Sequence, residues 1–368
     1  MIDIKALNRK LLLEYIDSHE YKNGPNIPIT IHRAISQTKN PAIDDKNILL
    51  LLAVNDTILV GYLGILPVTM SFKTGKTVKT GWLSCLWVLP NFRGKGISNK
   101  LINEAFQLYN KNILLSDFVP KTKKTYDRTK LFGNKTLSKD GIRLYIQSDL
   151  QTILPPKKAY FAKVIWLLQF IDLCINCLIS VRFIFSKTNN SLSHFEYITS
   201  IDDETMNFIA KHQDDNLFKQ NNENLDWILH NPWIISAPQK DRFNSKYYFS
   251  STAKNFEYHP IKIKNSDGNL IAFMILSKRD GNLKIPFLYH NNCINAVITI
   301  INQHIITWNI KTFSTFHSEL TQGLFQSKTP AFYKRKIKRE YLTTLNEENQ
   351  IANIALEFQD GDGDCCFT

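Results

Sequence analysis

The stretch at residues 87–101, WVLPNFRGKGISNKL, constrains the fold more than any other part of the sequence. An apolar strand is predicted over residues 82–89, and a helical pattern of apolar residues begins at Ile97. Between the two, Gly94 and Gly96 can take positive φ, which lets successive backbone N–H groups converge ahead of the helix. A strand, a loop of amides and a helix N-terminus are therefore expected to follow one another, as in an α/β fold.

Such a turn is suited to bind an anion. The helix dipole contributes partial positive charge, and Arg93 and Lys95 contribute full charges, so the expected ligand is a phosphate or pyrophosphate. The turn is not a Walker A loop, which needs an earlier glycine and a hydroxyl residue directly after the lysine. It is not a dinucleotide fingerprint either, because a third glycine is missing. A loop that only leads into a helix is the plain alternative.

The turn resembles motif A of the GNAT superfamily of N-acetyltransferases, whose signature is Gln/Arg-x-x-Gly-x-Gly/Ala. The matching residues are Arg93, Gly94, Lys95, Gly96, Ile97 and Ser98. Ser98 stands where the family usually has Gly or Ala, and its side chain is small enough for a close approach. The resemblance implies that this turn holds the pyrophosphate of acetyl-CoA, and that backbone groups near Leu86 and Val88 bind the pantetheine arm.

Length and composition indicate a globular protein of two domains without a disulfide framework. The chain has 368 residues with 43% hydrophobic and 12% aromatic content. Its six cysteines lack disulfide spacing, and Cys174-x-x-Cys177 has no second pair to complete a zinc site, so no metal is expected. With no signal peptide at residues 1–10, the sequence predicts a reduced, cytoplasmic protein. The net charge of +12 allows an anionic substrate or membrane, but no RNA-binding signature accompanies it, so no nucleic-acid partner is expected.

The first module is predicted at residues 1–152, as a GNAT-like acyl-CoA-binding domain with a mixed α/β sheet. Its elements are expected to be a helix at 1–20, strands at 48–54, 58–67, 68–72, 76–88 and 112–118, and a final strand at 141–149. By resemblance, the parallel strands at 82–89 and 112–118 splay apart beyond the turn, and the pantetheine arm lies in the gap. A short basic helix follows residue 120, and the pair Phe132-Gly133 resembles the family's aromatic-glycine pair.

An apolar connecting segment is predicted at residues 153–192. Residues 164–181 form a helical stretch that Asp172 interrupts near its middle, where a charge is costly in a membrane. The sequence favours a buried or interdomain helix, with Cys174 and Cys177 packed inside. The alternatives are an interfacial membrane helix anchored by lysines and Arg182, and a true span.

A second module, also expected to be GNAT-like, is predicted at residues 193–368. The predicted strands lie at 247–251, 258–263, 270–277, 283–288 and 312–316, and helices lie at 199–212 and 291–308. The position that matches the anion turn reads Tyr289-His290-Asn291-Asn292, without glycine or lysine. This module is therefore expected to lack the CoA site and to serve acceptor binding or structure.

Two charged segments near the end of the sequence are ambiguous. The basic run at 334–339 fits a solvated face, an edge strand or a lipid patch. The acidic segment at 360–366 lacks the length and the terminal glutamate of an EF-hand loop, so an ordered turn beside the second sheet is expected ahead of a metal site.

Catalytic residues are less evident than the anion turn. The family frequently uses a tyrosine after the splayed strand as general acid, and Tyr126 is the tyrosine in that region. The glutamate base that many members carry on the strand is absent, since that strand offers only Ser84 and Cys85. His32 and Arg33 could contact a substrate, although a solvated pair is the commoner outcome.

The resemblance implies an acetyl-CoA-dependent N-acyltransferase whose acceptor is a small polar amine, such as an amino sugar. The alternative is a GNAT-fold protein that binds at a membrane surface without turnover, with contact through residues 164–181. Acylation directed at RNA rests on the basic run alone.

Overall fold

The expected mixed α/β fold is confirmed, with strands that pair in both parallel and antiparallel directions. The computed structural model describes residues 2–116, 118, 120–132, 136–185, 194–345 and 357–367. The chain forms two compact units. The first contains Met1–Ser138, Ser200–Phe256 and Arg339–Thr368, and the second contains Lys139–Thr199 and Glu257–Lys338. These units cut across the boundaries expected at residues 152 and 192.

The first unit is built on a sheet with the strand order β1-β2-β3-β4-β5-β14. Its strands are Ile2–Asn8 (β1), Ile48–Asn55 (β2), Ile58–Ser71 (β3), Thr77–Val88 (β4), Ile113–Ser116 (β5) and the C-terminal part of Tyr333–Thr343 (β14). Its helices are Arg9–Asp17 (α1), His19–Asn23 (α2), Ile31–Thr38 (α3), Ile97–Leu108 (α4), Pro120–Thr129 (α5), Asp203–Lys211 (α9) and Asn222–His230 (α10). Two short strands, Ile235–Ser236 (β8) and Thr252–Ala253 (β9), form a separate parallel pair.

The second unit has the strand order β6-β13-β12-β11-β10-β7. Its strands are Thr136–Tyr145 (β6, mostly in this unit), His194–Tyr197 (β7), Phe256–Lys264 (β10), Leu270–Arg279 (β11), Asn282–His290 (β12) and Thr312–Thr315 (β13). Its helices are Leu150–Ile153 (α6), Tyr160–Lys163 (α7), Ile165–Phe185 (α8), Ile294–Thr307 (α11) and Ser318–Gln326 (α12).

Each unit takes its last strand from the other half of the chain. In the first unit, β5 pairs antiparallel with residues 341–343 of β14, near the end of the sequence. In the second, β13 pairs antiparallel with β6, which follows directly after α5. A division into consecutive segments therefore cannot describe the two units.

The first sheet is buried on both faces, which explains the uninterrupted apolar sequence of β2. One face packs against α4, whose buried side is formed by Ile97, Leu101, Ile102 and Ala105. Full burial of each Leu or Ile in this layer contributes about 2 kcal/mol. The other face packs against α1, α3 and aromatic residues such as Phe243 and Tyr247. The anion turn thus leads into a helix that the core holds in place.

The predicted hairpins of the first unit are confirmed, but the predicted helix over residues 1–20 is wrong in its first half. β1 pairs with β2 over Ile2–Asn8, and the helix begins only at Arg9, where the Asn8 side chain caps it by accepting from the amide of Leu11 at 3.0 Å. Pairing with a strand more than forty residues away overrides the local helical spacing.

The segment at 247–251 is also not a strand. It follows a 3₁₀ turn at Asn244–Lys246, and Tyr247 packs against Tyr62 in the core. The acidic C-terminal segment is an ordered turn, as expected, but it belongs to the first unit and not to the second.

The favoured interpretation of residues 164–181 as a buried helix is wrong. α8 exposes most of its apolar side chains, and Cys174 and Cys177 are exposed instead of packed. Within the described ranges, no helix has both the length and the apolar character needed to cross a bilayer.

The basic run lies in β14. Arg335, Lys336 and Lys338 are exposed, as a solvated face requires. Arg339, in contrast, is 6% exposed, and its Nη1 donates to the carbonyl of Asp360 at 2.7 Å. The last residue of the run therefore holds the C-terminal segment in place.

Candidate functional site

The turn between β4 and α4 has the geometry that its sequence predicts. Gly94 has a φ of 83° and Gly96 a φ of 76°, both in the left-handed region that strains any residue with a Cβ. A Cβ built at either position would meet no atom within 4 Å, so the space in front of the turn is open. Gly96 is the N-cap of α4, and no described side chain caps this end. The amides of Ile97 and Ser98 are thus available to an anion.

Two exposed cations flank the open turn. Arg93 Nε donates a hydrogen bond to the carbonyl of Val88 at 3.2 Å, which fixes the base of the side chain. The Lys95 ammonium lies 4.4 Å from the centre of the Phe92 ring. Amides, a helix N-terminus and two cations together fit a pyrophosphate, whose charge they would neutralise.

Strands β4 and β5 pair at two positions among the described residues. Their parallel register joins Gly81 to Ile113 and Trp82 to Leu114, and no further pair connects them within the described residues. β5 instead continues along β14 on its other side. The splayed parallel pair expected from the sequence is therefore present, and the half-buried Leu86 lies on β4 beyond the last pair.

β4 is irregular beyond that last pair. The register between β3 and β4 shifts between Tyr62 and Gly64, and Cys85 has a φ of 55° in this irregularity. The left-handed conformation costs a residue with a side chain about 1–2 kcal/mol, so neighbouring contacts have to stabilise it. The bulge removes the backbone of Cys85 and Leu86 from regular pairing and leaves it accessible to a ligand.

A buried arginine supplies those contacts. Arg33 of α3 is 5% exposed, and its guanidinium donates to Ser84 Oγ at 2.8 Å, Cys85 Sγ at 2.8 Å and the Tyr247 hydroxyl at 2.9 Å. The guanidinium carbon also lies 3.9 Å from the ring centre of Trp233. Burial acts against the charged form, yet Cys85 and Tyr247 raise the Arg33 pKa above its ordinary value. We call Arg33, Ser84, Cys85 and Tyr247 the Arg33 cluster.

His32 connects α3 to the backbone of Trp233. Its ring nitrogens lie 3.2 Å from Asp241 Oδ2 and 2.6 Å from the carbonyl of Trp233. Burial raises the Asp241 pKa, but hydrogen bonds from His32 and from the amide of Phe243 bring it below its ordinary value. The expectation of a solvated His32-Arg33 pair is therefore wrong, because residues 233–247 cover α3.

The C-terminal turn Gly363–Phe367 brings a carboxylate to β4. Trp82 Nε1 donates to Asp364 Oδ1 at 2.8 Å, and Cys365 Sγ lies 3.1 Å from Ser116 Oγ on β5. The Phe367 ring stacks on Trp233 with centres 4.4 Å apart. Asp364 is half-buried and acts electrostatically on Arg33, so it lies near the Arg33 cluster and both splayed strands.

Tyr126 on α5 is buried, with 4% of its surface exposed. Its ring packs edge-on against Phe118 at 6.3 Å and Phe132 at 5.7 Å. Burial, followed by the nearby Cys85 and Asp364, raises the pKa of its hydroxyl, so the phenol keeps its proton. Its role as general acid stays a prediction, and Gly133 of the expected aromatic-glycine pair lies outside the described residues.

The corresponding turn of the second unit has different chemistry. β12 and β13 are also parallel and pair at residues 282–284 and 312–314, but β12 ends at His290 and no glycine precedes α11. His317, which lies 5.5 Å from His290 between ring centres, is buried, and this lowers its pKa to about 3. Two imidazole rings therefore lie at this end of the second unit, where the first unit has its open glycine turn.

The described residues contain no group of three or more His, Cys, Asp or Glu side chains that could hold a metal ion. In the acidic C-terminal segment, Asp362 Oδ2 accepts from the amide of Gln359 at 2.7 Å, as a side chain that stabilises a turn does.

Sequence reasoning missed three of the residues near β4. Trp233, Tyr247 and Asp364 lie far along the chain from the anion turn, and no local pattern connects them to it. Arg33 was considered as a substrate contact, but only tertiary packing reveals its burial.

Comparison with known proteins agrees with this geometry. Residues 9–129 match the family model of the acetyltransferase (GNAT) domain. No curated protein sequence matches the chain.

Solved structures share the fold at low sequence identity. A GCN5-related N-acetyltransferase from Anabaena variabilis is 10% identical, with a TM-score of 0.52 over 94% of this chain and 73% of the other. A conserved protein of unknown function from Enterococcus faecalis is 12% identical, with a TM-score of 0.52 over 93% and 72%. The N-myristoyltransferase of Saccharomyces cerevisiae with bound myristoyl-CoA is 11% identical, with a TM-score of 0.50 over 93% and 78%. Residues 9–129 of the chain thus match a GNAT acetyltransferase domain, and the chain shares its fold with these solved structures.

Proposed function

We propose that this protein transfers an acyl group, expected to be acetyl, from acyl-CoA to a small polar amine such as an amino sugar. The observation that carries the proposal is the open, left-handed turn at Gly94 and Gly96, at the N-terminus of α4. Its amides, together with Arg93 and Lys95, hold the pyrophosphate of the donor.

The pantetheine arm lies along β4 in the proposed complex. Pairing between β4 and β5 ends at Trp82, so backbone groups near Leu86 and Val88 are positioned to hydrogen-bond the arm. This path leads the thioester from the turn toward the bulge at Cys85. The fit of these residues to the donor supports acyl-CoA as cosubstrate.

The transfer requires an uncharged amine and a proton donor for the leaving thiolate. The amine nitrogen forms a bond to the acyl carbon, the carbon–sulfur bond breaks, and the thiolate takes the Tyr126 proton. Burial keeps that phenol protonated before the reaction. We assign Asp364 as the acceptor of the amine proton, since its half-buried carboxylate is oriented by Trp82 Nε1 near the bulge.

The Arg33 cluster supports this chemistry by fixing the backbone of β4. Arg33 binds Ser84 and Cys85 at the bulge and so fixes the strained backbone that the thioester would approach. The Tyr247 hydroxyl and the carboxylate of Asp364 give this face a polar character suited to an amine that also carries hydroxyl groups. All six cysteines are free, which fits a cytoplasmic compartment where thiols stay reduced.

Thiol release from acetyl-CoA, measured against a panel of amino sugars, amino acids and polyamines, tests the proposal. At least one class is expected to accelerate release above background hydrolysis. Asp364→Asn retains an oxygen for Trp82 Nε1 and should lower kcat/KM about tenfold to a hundredfold, with an unchanged Kd for acetyl-CoA. If acetyl-CoA binds but no amine accelerates thiol release, the acceptor proposal is wrong.

A further inference from the structure

α8 presents a broad apolar surface to solvent. The helix has 21 residues and is therefore about 32 Å long. Its large exposed apolar side chains recur along one side and carry these exposed fractions: Trp166 67%, Phe170 60%, Leu173 61%, Leu178 75% and Val181 52%. Cys174 and Cys177 are exposed among them. Soluble proteins rarely expose an apolar surface of this extent unless it binds something.

The acidic residue of this helix is turned away from that surface. Asp172 is the one charged residue within 164–181, and it is 3% exposed. Its carboxylate accepts from Ser148 Oγ at 2.6 Å and from the amides of Leu150 at 2.8 Å and Gln151 at 3.0 Å. Asn176 exchanges two further hydrogen bonds with the backbone of Ser148. The polar side of α8 is thus bound to its own unit, and the exposed apolar side chains between Trp166 and Val181 have no charged residue among them.

Exposed cations and aromatic rings lie where α8 begins. Lys157, Lys158 and Lys163 are exposed, next to Tyr160, which is 67% exposed. Lysine and aromatic residues beside an apolar helix face are the combination that anchors a helix at the lipid–water interface. The net charge of +12 adds attraction to an anionic surface. A self-complementary protein contact would not require this cationic flank.

We propose that the outer face of α8 docks the protein on an anionic lipid bilayer, with the helix lying in the plane of the interface. The apolar side chains enter the region between headgroups and acyl chains, and the lysines bind lipid headgroups. The carboxylate of Asp172 does not have to be transferred into the lipid for this, because it stays bound to residues 148–151. This docking is independent of acyl transfer and would place the enzyme beside a membrane surface.

Flotation of the full chain with vesicles tests the proposal. Vesicles of phosphatidylcholine with 30% phosphatidylserine are compared with pure phosphatidylcholine, at low and at high salt. Wild type is expected to float with the anionic vesicles and to be released by salt. Brominated lipids should quench the fluorescence of Trp166, identified by its loss in Trp166→Phe.

Matched variants test whether vesicle binding depends on the outer face of α8 or on surface charge in general. Leu173→Glu with Leu178→Glu should weaken vesicle binding at least tenfold, and replacing the three lysines by glutamine should weaken it by about tenfold or more. Leu11→Glu with Ile58→Glu is the control, since these residues are 43% and 51% exposed outside α8 and the added charge is equal. It should float like wild type.

Failure of wild type to bind anionic vesicles at low salt would overturn the proposal. So would equal loss of binding in the control variant. Light scattering tests whether a second copy of the chain covers this face instead. If wild type forms a dimer that Leu173→Glu with Leu178→Glu dissociates, and wild type does not bind vesicles, the face is a dimer interface and lipid docking is contradicted.

Discussion

Replacing Arg33 by lysine tests the cluster that holds the bulge of β4. The guanidinium makes three hydrogen bonds, to Ser84, Cys85 and Tyr247, in a site where it is 5% exposed. A lysine keeps the charge but has no planar fork and reaches at most one partner well. Two lost charge-assisted bonds at about 1.5 kcal/mol each give an expected loss of about 3 kcal/mol of unfolding free energy.

Urea unfolding followed by fluorescence measures that loss as a lower midpoint at an unchanged slope. Arg242→Lys is the matched control, because Arg242 is exposed in the same unit and should change stability by less than about 0.5 kcal/mol. Arg33→Lys should also reduce amine turnover more than it weakens acetyl-CoA binding, since the hydrogen bonds of Arg33 go to Ser84, Cys85 and Tyr247 and not to the anion turn. Equal midpoints for Arg33→Lys and Arg242→Lys would refute the described cluster.

Three further predictions address other parts of the molecule. Gly363→Ala should destabilise the protein by about 3 kcal/mol or more, because its φ is 64° and a Cβ would lie 2.1 Å from the Trp82 ring; Gly268→Ala, with φ 82° and open space, should cost about 1 kcal/mol in the same urea assay. Tyr126→Phe should lower kcat about tenfold or more and leave the Kd of acetyl-CoA unchanged, and equal turnover would remove this phenol from the mechanism. The folded-state pKa of His317 is lowered to about 3 from 6.5, so only the unfolded chain takes up this proton between those values and stability falls as the pH decreases. This group should lower the unfolding free energy of wild type by about 2 kcal/mol between pH 8 and pH 5. His317→Asn, measured by urea unfolding at both pH values, should lack that decrease. If the unfolding free energies of wild type and variant change in parallel with pH, the assignment is contradicted.

Local chemistry made the anion turn predictable from the sequence. The φ values of Gly94 and Gly96, the start of α4 and the apolar strand before it depend on residues close together in the chain. Hairpins such as β2–β3 are equally local, and the sequence predicted them. The parallel neighbour β5 followed from the resemblance, and its short register agrees with it.

Other parts of the fold and of the site depend on long-range packing and could not be predicted from the sequence. β1 is a strand because β2 pairs with it, and its own sequence also fits a helix. The two units exchange their last strands, β6 and β14, so no boundary in the sequence marks them. Asp364 reaches β4 from the far end of the chain, whereas the strand itself carries no carboxylate between Gly81 and Leu89.

α8 illustrates a different difficulty. Its composition fits a buried helix and an interfacial helix equally well, because both are apolar with few charges. The side that Asp172 faces decides which apolar side chains are exposed, and that side depends on residues 148–151.

Calorimetric titration of acetyl-CoA tests the central claim most directly. Wild type is expected to bind, and Gly96→Glu should weaken binding at least about a hundredfold, because its carboxylate would occupy the open space proposed for the pyrophosphate. Gly75→Glu is the control: Gly75 also has a left-handed φ, 79°, and open space, but it lies in the turn between β3 and β4. Binding of the control should equal that of wild type. Absence of binding to wild type, or equal affinity in Gly96→Glu, would contradict the assignment of this turn as the acyl-CoA site.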